Sequence, residues 1–331
     1  MQLLDIRNLT IELDTPHGRH VVLERFSLKM AEGEIHGLVG ESGSGKSLLA
    51  KAVLGITDRR THVRADRLNW NGHNMLNMSG AERRALMAEE IAMIFQEPAS
   101  CLDPSARIGT QLLEAMPIPK EVHWWQRRRR RQQLAIRLLH KVGVKEHKSL
   151  MRAFPWELTD GEAHKVVLAM ALAHKPKLII ADEPTTGLES SAQAKVFRLL
   201  DKMNKLGNVA ILMISHDLES VANWSHRLTV LYCGHIMESG RSKQILKQPM
   251  HPYTEALQQS ALSAGPGSQR KKDLPALRGA VPPLQHLPVG CRLGPRCPYA
   301  QRECVKTPSI RSQGGHAFRC HFPLHTETRS K

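Results

Sequence analysis

Residues 2–13 alternate apolar and polar positions, through Leu4, Ile6, Leu9, Ile11 and Leu13, which is the period of a half-buried strand. A turn at Thr15-Pro16-His17-Gly18 leads into a second run of the same kind over residues 21–30. A third run, 35–39, enters the glycine-rich stretch 40–45, and residues 47–56 then read as a helix. The segments 177–181 and 209–214, mostly apolar and each followed by a helical pattern, are candidates for two further buried strands. Strands alternating with helices predict an α/β fold with a mainly parallel sheet. Between Ser105 and Trp156 the strand signal disappears and the pattern turns helical and basic, which predicts an inserted helical subdomain at about 105–157. Five prolines and four glycines fall within 263–290, the composition of an irregular linker between a body at 1–262 and a cysteine-bearing extension at 291–331.

Composition narrows the class. No uninterrupted apolar run approaches 18 residues, so no membrane-spanning helix is predicted. The first 13 residues carry acids and alternation where a signal peptide needs a basic region and an apolar stretch, and a cytoplasmic protein is expected. A net charge of +16 suggests contact with phosphates, nucleic acid or an anionic membrane face. Six cysteines in a reducing compartment argue against a disulfide framework.

The segment Gly40-Glu41-Ser42-Gly43-Ser44-Gly45-Lys46-Ser47 fits G-x-x-x-x-G-K-[ST]. Glycines let backbone N–H groups turn inward around phosphate oxygens at the positive end of the following helix. Lys46 then reaches the β- and γ-phosphates and the Ser47 hydroxyl ligates Mg²⁺. The loop lies between a predicted strand and a predicted helix, as that mechanism requires, and a dinucleotide-binding glycine pattern is absent from this stretch. Farther along, an apolar strand ends in Asp182-Glu183, one carboxylate for the Mg²⁺ shell and one to orient or deprotonate the attacking water. A second apolar strand ends at Ser215-His216-Asp217, placing an imidazole at a strand end where it can sense a γ-phosphate.

The order of residues 40–47, Gln96, Leu158-Thr159-Asp160-Gly161-Glu162, Asp182-Glu183 and His216 resembles the ATP-binding-cassette ATPase family. Phe95-Gln96-Glu97-Pro98, Leu102-Asp103-Pro104, His251-Pro252-Tyr253-Thr254 and the cysteine-bearing extension resemble its oligopeptide/dipeptide-uptake branch. The resemblance implies a core parallel sheet around the loop, an antiparallel β portion near the N-terminus, a helical subdomain and a small C-terminal extension. It implies an ATPase that energises peptide transport at the cytoplasmic face of the inner membrane. The expected partners are a second, non-identical ATPase subunit, two membrane permease subunits and, indirectly, a periplasmic peptide-binding protein. Gln96 is then expected to contact the Mg²⁺ or the water, Thr159 and Gly161 to cap the nucleotide of the facing subunit, and His17 to stand near an adenine-stacking position. Asp160 departs from the family's usual glycine, and Gly187-Leu188-Glu189 carries Glu where Asp is common. Unequal hydrolysis at the two composite sites is therefore expected.

Two features stay open. The five arginines 127–131 read as a solvated helix face, as a contact for anionic lipid or a partner's loop, or as a nucleic-acid contact; the last lacks a groove-reading motif, and only Trp124 and Trp125 stand nearby. Cys291, Cys297, Cys304 and Cys320 show no zinc-type C-x2–4-C spacing. Four thiolates suit an iron–sulfur cluster, with Cys297-Pro298 similar to ferredoxin-type runs, and the resembled branch is associated with a [4Fe–4S] cluster at this extension; zinc and no metal are the alternatives. Two rivals to transport are a regulatory subunit that binds ATP without hydrolysing it and a soluble cassette ATPase acting on nucleic acid.

Overall fold

The computed structural model describes residues 2–118, 123–188, 190–263, 277 and 279–325. Most of the expected linker (264–276 and 278) and Glu189 lie outside the described residues. The chain forms two compact units, one of residues 1–80 with 212–331 and one of residues 81–211.

The first unit begins with an antiparallel hairpin of strands Gln2–Thr15 and Gly18–Ala31. The buried side chains of the first strand change parity between Ile6 and Leu9, and the ladder shows why. Ile6 pairs with Leu28 and Leu9 with Phe26, so the first strand carries one extra residue there, and Asn8 takes a left-handed φ of 50°. A compensating extra residue follows on the second strand between Phe26 and Leu23, where Arg25 has φ 48°. Each bulge flips the facing of the residues after it, so Leu4, Ile6, Leu9 and Ile11 all end buried. Strands Thr61–Arg64 and Arg67–Trp70 pair antiparallel with the two halves of Gln2–Thr15. This is the antiparallel N-terminal portion expected from the sequence.

In the same unit the strand Ile35–Val39 is buried at every residue and runs parallel to Arg227–Tyr232. Its apolar side chains are covered on both faces, as in a buried parallel pair, and the polar His36 among them meets the Thr229 hydroxyl at 2.9 Å. Arg227–Tyr232 continues antiparallel into His235–Arg241, and His316–Phe318 of the cysteine extension pairs with that strand at Glu238↔Phe318 and Ser239↔Ala317. The extension therefore adds to the sheet.

In the second unit, strands Ile91–Ile94 and Leu178–Asp182 form an in-register parallel pair. Helices Ile108–Ala115, Trp124–Lys141, His147–Arg152 and Asp160–Ala171 follow between them in sequence. No strand lies between residues 105 and 156 among the described residues. The helix Trp124–Lys141 buries Ala135 and Leu139, whereas Arg128, Arg129 and Arg130 in its first turns are exposed. Arg131 turns inward and donates to the carbonyl of Leu113.

Candidate functional site

The phosphate-type loop follows the buried strand Ile35–Val39 and runs into the helix Lys46–Leu54. Gly40 passes so close to the neighbouring strand that a Cβ there would stand 2.0 Å from the Leu231 carbonyl oxygen, so only glycine fits. Gly43 and Gly45 take left-handed φ angles of 79° and 101°, and Gly45 is the N-cap of the helix. The Lys46 ammonium folds back over the loop and donates to the carbonyls of Gly40 (2.7 Å) and Glu41 (3.0 Å) and to the Ser44 hydroxyl (3.3 Å). It is a buried cation at the end of a helix where N–H groups point outward. Ser47 stands on the first turn of that helix, half-buried.

Sequence reasoning missed the side chains that hold the loop from outside: Tyr253, Tyr232 and Arg296 all converge on Glu41 or its partner. Tyr253 lies in the quoted His-Pro-Tyr-Thr segment and Arg296 directly precedes Cys297-Pro298, so both positions were visible as motif residues. Their contact with the loop was not.

In the second unit, Asp182 closes the buried strand Leu178–Asp182, and Glu183 follows with a left-handed φ of 51°. Such a backbone in a non-glycine residue is strained, and it turns the side chain off the strand direction; its carboxylate accepts from the Thr186 hydroxyl at 2.6 Å. The neighbouring strand ends at Ile94, paired with Ala181. Gln96 and Glu183 therefore each come two residues after the paired Ile94 and Ala181. Gln96 is exposed, and Glu97 after it again has a positive φ of 56°.

Thr159 is the N-cap of the helix Asp160–Ala171, with Asp160 exposed on its first turn. A Cβ built on Gly161 would have 4 Å of open space around it among the described residues outside its own helix turn. His216 follows the strand Ala210–Ser215 and is exposed, while Asp217 caps the helix Leu218–Trp224 by accepting from the Ser220 N–H. His17 sits in the exposed hairpin turn, its N–H donating to the Thr15 hydroxyl.

Cys291, Cys297, Cys304 and Cys320 line one small pocket together with His251, and Cys291 donates its N–H to the Cys304 carbonyl at 2.9 Å. Burial pushes the thiols of Cys291 and Cys297 up and that of Cys320 to about 11. Among the described residues no set of three His, Cys, Asp or Glu side chains is gathered tightly enough to hold a single metal ion. A cleft of about 730 Å³ elsewhere in the first unit, lined by Asp5, Arg67 and Arg227 among others, contains none of the sequence-predicted residues.

Comparison with known proteins fits this arrangement. The ABC transporter family matches residues 23–186, and the oligopeptide/dipeptide transporter C-terminal region matches residues 237–304. The peptide transport system ATP-binding protein SapD of Salmonella typhimurium is 51% identical over 328 residues, covering 99% of each chain. The dipeptide transport ATP-binding protein DppD of Escherichia coli is 39% identical and covers 98% of each. Among solved structures, the ATP-binding cassette MJ0796 in a dimeric post-hydrolysis state with ADP and Pi aligns at a TM-score of 0.62 and 21% identity, over 72% of this chain and 98% of that one, which is a likeness of fold. The chain belongs to the ABC transporter family, as an ATP-binding cassette subunit that carries the oligopeptide/dipeptide transporter C-terminal region.

Proposed function

We propose that this chain is the ATP-hydrolysing subunit that drives peptides across the cytoplasmic membrane. The observation that carries the reading is the loop 40–47, whose glycine geometry and inward Lys46 form an anion cradle in a chain 51% identical to a peptide transport ATP-binding protein over nearly its whole length. Within it, Gly40, Glu41, Ser42, Gly43, Ser44 and Gly45 form the cradle. Lys46 exchanges its carbonyl partners for phosphate oxygens.

Ser47, Asp182 and Gln96 carry the oxygen donors that suit Mg²⁺, which when bound neutralises phosphate charge in phosphoryl transfer. Glu183 orients or deprotonates the water, held by Thr186 and by its own strained backbone. His216 stands ready to read the γ-phosphate, and His17 to lie against the base. Thr159 and Gly161 cap the nucleotide of a facing cassette. The open space over Gly161 supports that role, because it leaves backbone accessible to a group arriving from outside the chain.

A nucleotide capped from a facing cassette requires a partner, so a second ATPase subunit and two membrane permeases complete the machine, with a periplasmic peptide-binding protein acting indirectly. No described helix is long and apolar enough to cross a membrane, which agrees with peripheral attachment at the inner membrane through those permeases. The reading assigns no role with nucleic acid. The body 1–262, with its helical part at about 105–157, does the nucleotide chemistry, and the extension 291–331 comes after the linker 263–290.

The cysteine extension suits a [4Fe–4S] cluster better than zinc. Four cysteines line one pocket, the ligand number such a cluster takes, and they lack the C-x2–4-C spacing of common zinc sites. The thiols of Cys291, Cys297 and Cys320, whose pKa values burial raises, would ionise on ligation.

Purification of the tagged chain from membranes tests the proposal. A second cassette subunit and two permeases should accompany it, with ATPase activity raised by peptide. A chain recovered alone, or with nucleic acid, would refute it, and a complex that binds ATP without turning it over would favour the regulatory reading.

A further inference from the structure

Glu41 brings a carboxylate into the anion cradle, a charge of the same sign as the phosphates. The structure shows how that charge is managed. The Arg296 guanidinium donates Nη1–H to Glu41 Oε2 at 2.8 Å and Nη2–H to Oε1 at 3.1 Å, a two-pronged fork. The Arg296 side chain is only 9% exposed. Its Nη1 also donates to the Tyr232 hydroxyl at 3.2 Å, and its guanidinium lies 5.7 Å from the centre of the Tyr232 ring. Tyr253, 4.7 Å from Tyr232 ring to ring, accepts the Glu41 backbone N–H on its hydroxyl at 2.8 Å. Both the backbone and the side chain of Glu41 are thus held by groups from the C-terminal third of the chain. Arg296 belongs to the cysteine extension itself, in the short turn Gly294–Arg296 that leads into Cys297.

We propose that Arg296 is a positioning residue of the phosphate loop: its fork cancels and fixes the Glu41 carboxylate, so that the cysteine extension forms part of the nucleotide site. Without it, Glu41 is a loose negative charge beside an incoming triphosphate, and the loop loses an outer anchor. The arrangement also gives the extension a way to act on ATP affinity, since any movement of the turn before Cys297 moves the fork. The inference rests on the ATP-binding reading above.

The test is equilibrium binding of ATP to the full-length chain, read by fluorescence of a labelled ATP and competition with unlabelled ATP, alongside thermal unfolding without nucleotide. Arg296→Gln should weaken ATP binding about tenfold, as loss of a charge-assisted bond does. Arg296→Lys keeps the charge but not the fork and should weaken it about threefold. In a Glu41→Gln background the Arg296→Gln effect should shrink to under twofold, because the partner charge is gone. A merely structural arginine would lower the unfolding temperature and leave its effect undiminished by Glu41→Gln. Unchanged affinity in both Arg296 variants, or an undiminished loss in the Glu41→Gln background, overturns the proposal. Failure of the unsubstituted chain to bind ATP would instead overturn the reading on which it rests.

Discussion

Thr159 and Glu162 close on each other at the start of the helix Asp160–Ala171: Glu162 Oε2 accepts from the Thr159 N–H at 3.0 Å and from its hydroxyl at 2.8 Å, while the Glu162 N–H donates back to that hydroxyl at 3.3 Å. This is a capping box. The two bonds from Thr159, backbone then side chain, hold the Glu162 carboxyl below its ordinary range. The acidic Glu162 is therefore occupied with its own helix, and Asp160 is the exposed carboxylate of this stretch.

That division of labour sets the first prediction. If Asp160 faces the γ-phosphate of the opposite cassette from roughly 5 Å, repulsion is on the order of 3 kcal/mol at an effective dielectric of 20, or about a hundredfold in closure over that nucleotide. Asp160→Gly should raise hydrolysis at the partner's site and leave this chain's own site unchanged. Single-site rates, taken with each cassette's glutamate removed in turn, check it. Equal residual rates in the two glutamate mutants would end the asymmetric account.

The loop 40–47, the strand ending at Asp182-Glu183 and the core strand Ile35–Val39 were legible because each writes its chemistry in consecutive residues. The bulges at Asn8 and Arg25 were half-visible: the apolar positions change parity after Ile6, but only the paired strand shows that the ladder absorbs it. The short strands Thr61–Arg64 and Arg67–Trp70 carry exposed Arg64 and Arg67 among few apolar residues, and their partner is some fifty to sixty residues away. His235–Arg241 was hidden differently, since His235 and Glu238 are polar yet buried. Glu238 takes the Met250 and His251 N–H groups and the His316 ring, a network that no local pattern announces. The Arg296–Glu41 pair spans 255 residues, beyond any periodicity.

Lys46→Ala should weaken ATP binding by at least tenfold, because it removes the buried ammonium held within the cradle. Isothermal titration of the purified chain measures it, and unaltered affinity would sink the phosphate-loop assignment.

Protein purified without oxygen should be brown, with iron and sulfide in cluster proportion. Cys297→Ser should bleach it while nucleotide still binds through the loop's own groups, with an affinity changed only as far as the adjacent Arg296 fork moves. Colourless, iron-free protein from the same preparation would remove the cluster.

Stability should fall on mild acidification. His251 is buried and its pKa is pulled down to about 4, chiefly by burial; burial also lowers those of His36 and His235. The unfolded chain takes up these protons below about pH 6.5, whereas the folded chain resists until about pH 4 at His251. Stability is thus full above pH 6.5 and is lost as pH falls towards 4, by on the order of 3 kcal/mol for His251. Unfolding temperatures from pH 7 to pH 4.5 should drop, and His251→Gln should flatten the curve. An identical slope in the variant would contradict this.

The most direct test of the whole account is peptide movement by the membrane complex in vesicles, with ATP supplied on the side that carries this chain. Peptide should cross only with hydrolysable ATP. Glu183→Gln should keep ATP bound while slowing both turnover and transport by about a hundredfold, the contribution of a positioned general base. Peptide transport that runs equally well on a non-hydrolysable analogue, or ATP turnover indifferent to Glu183→Gln, would contradict the account.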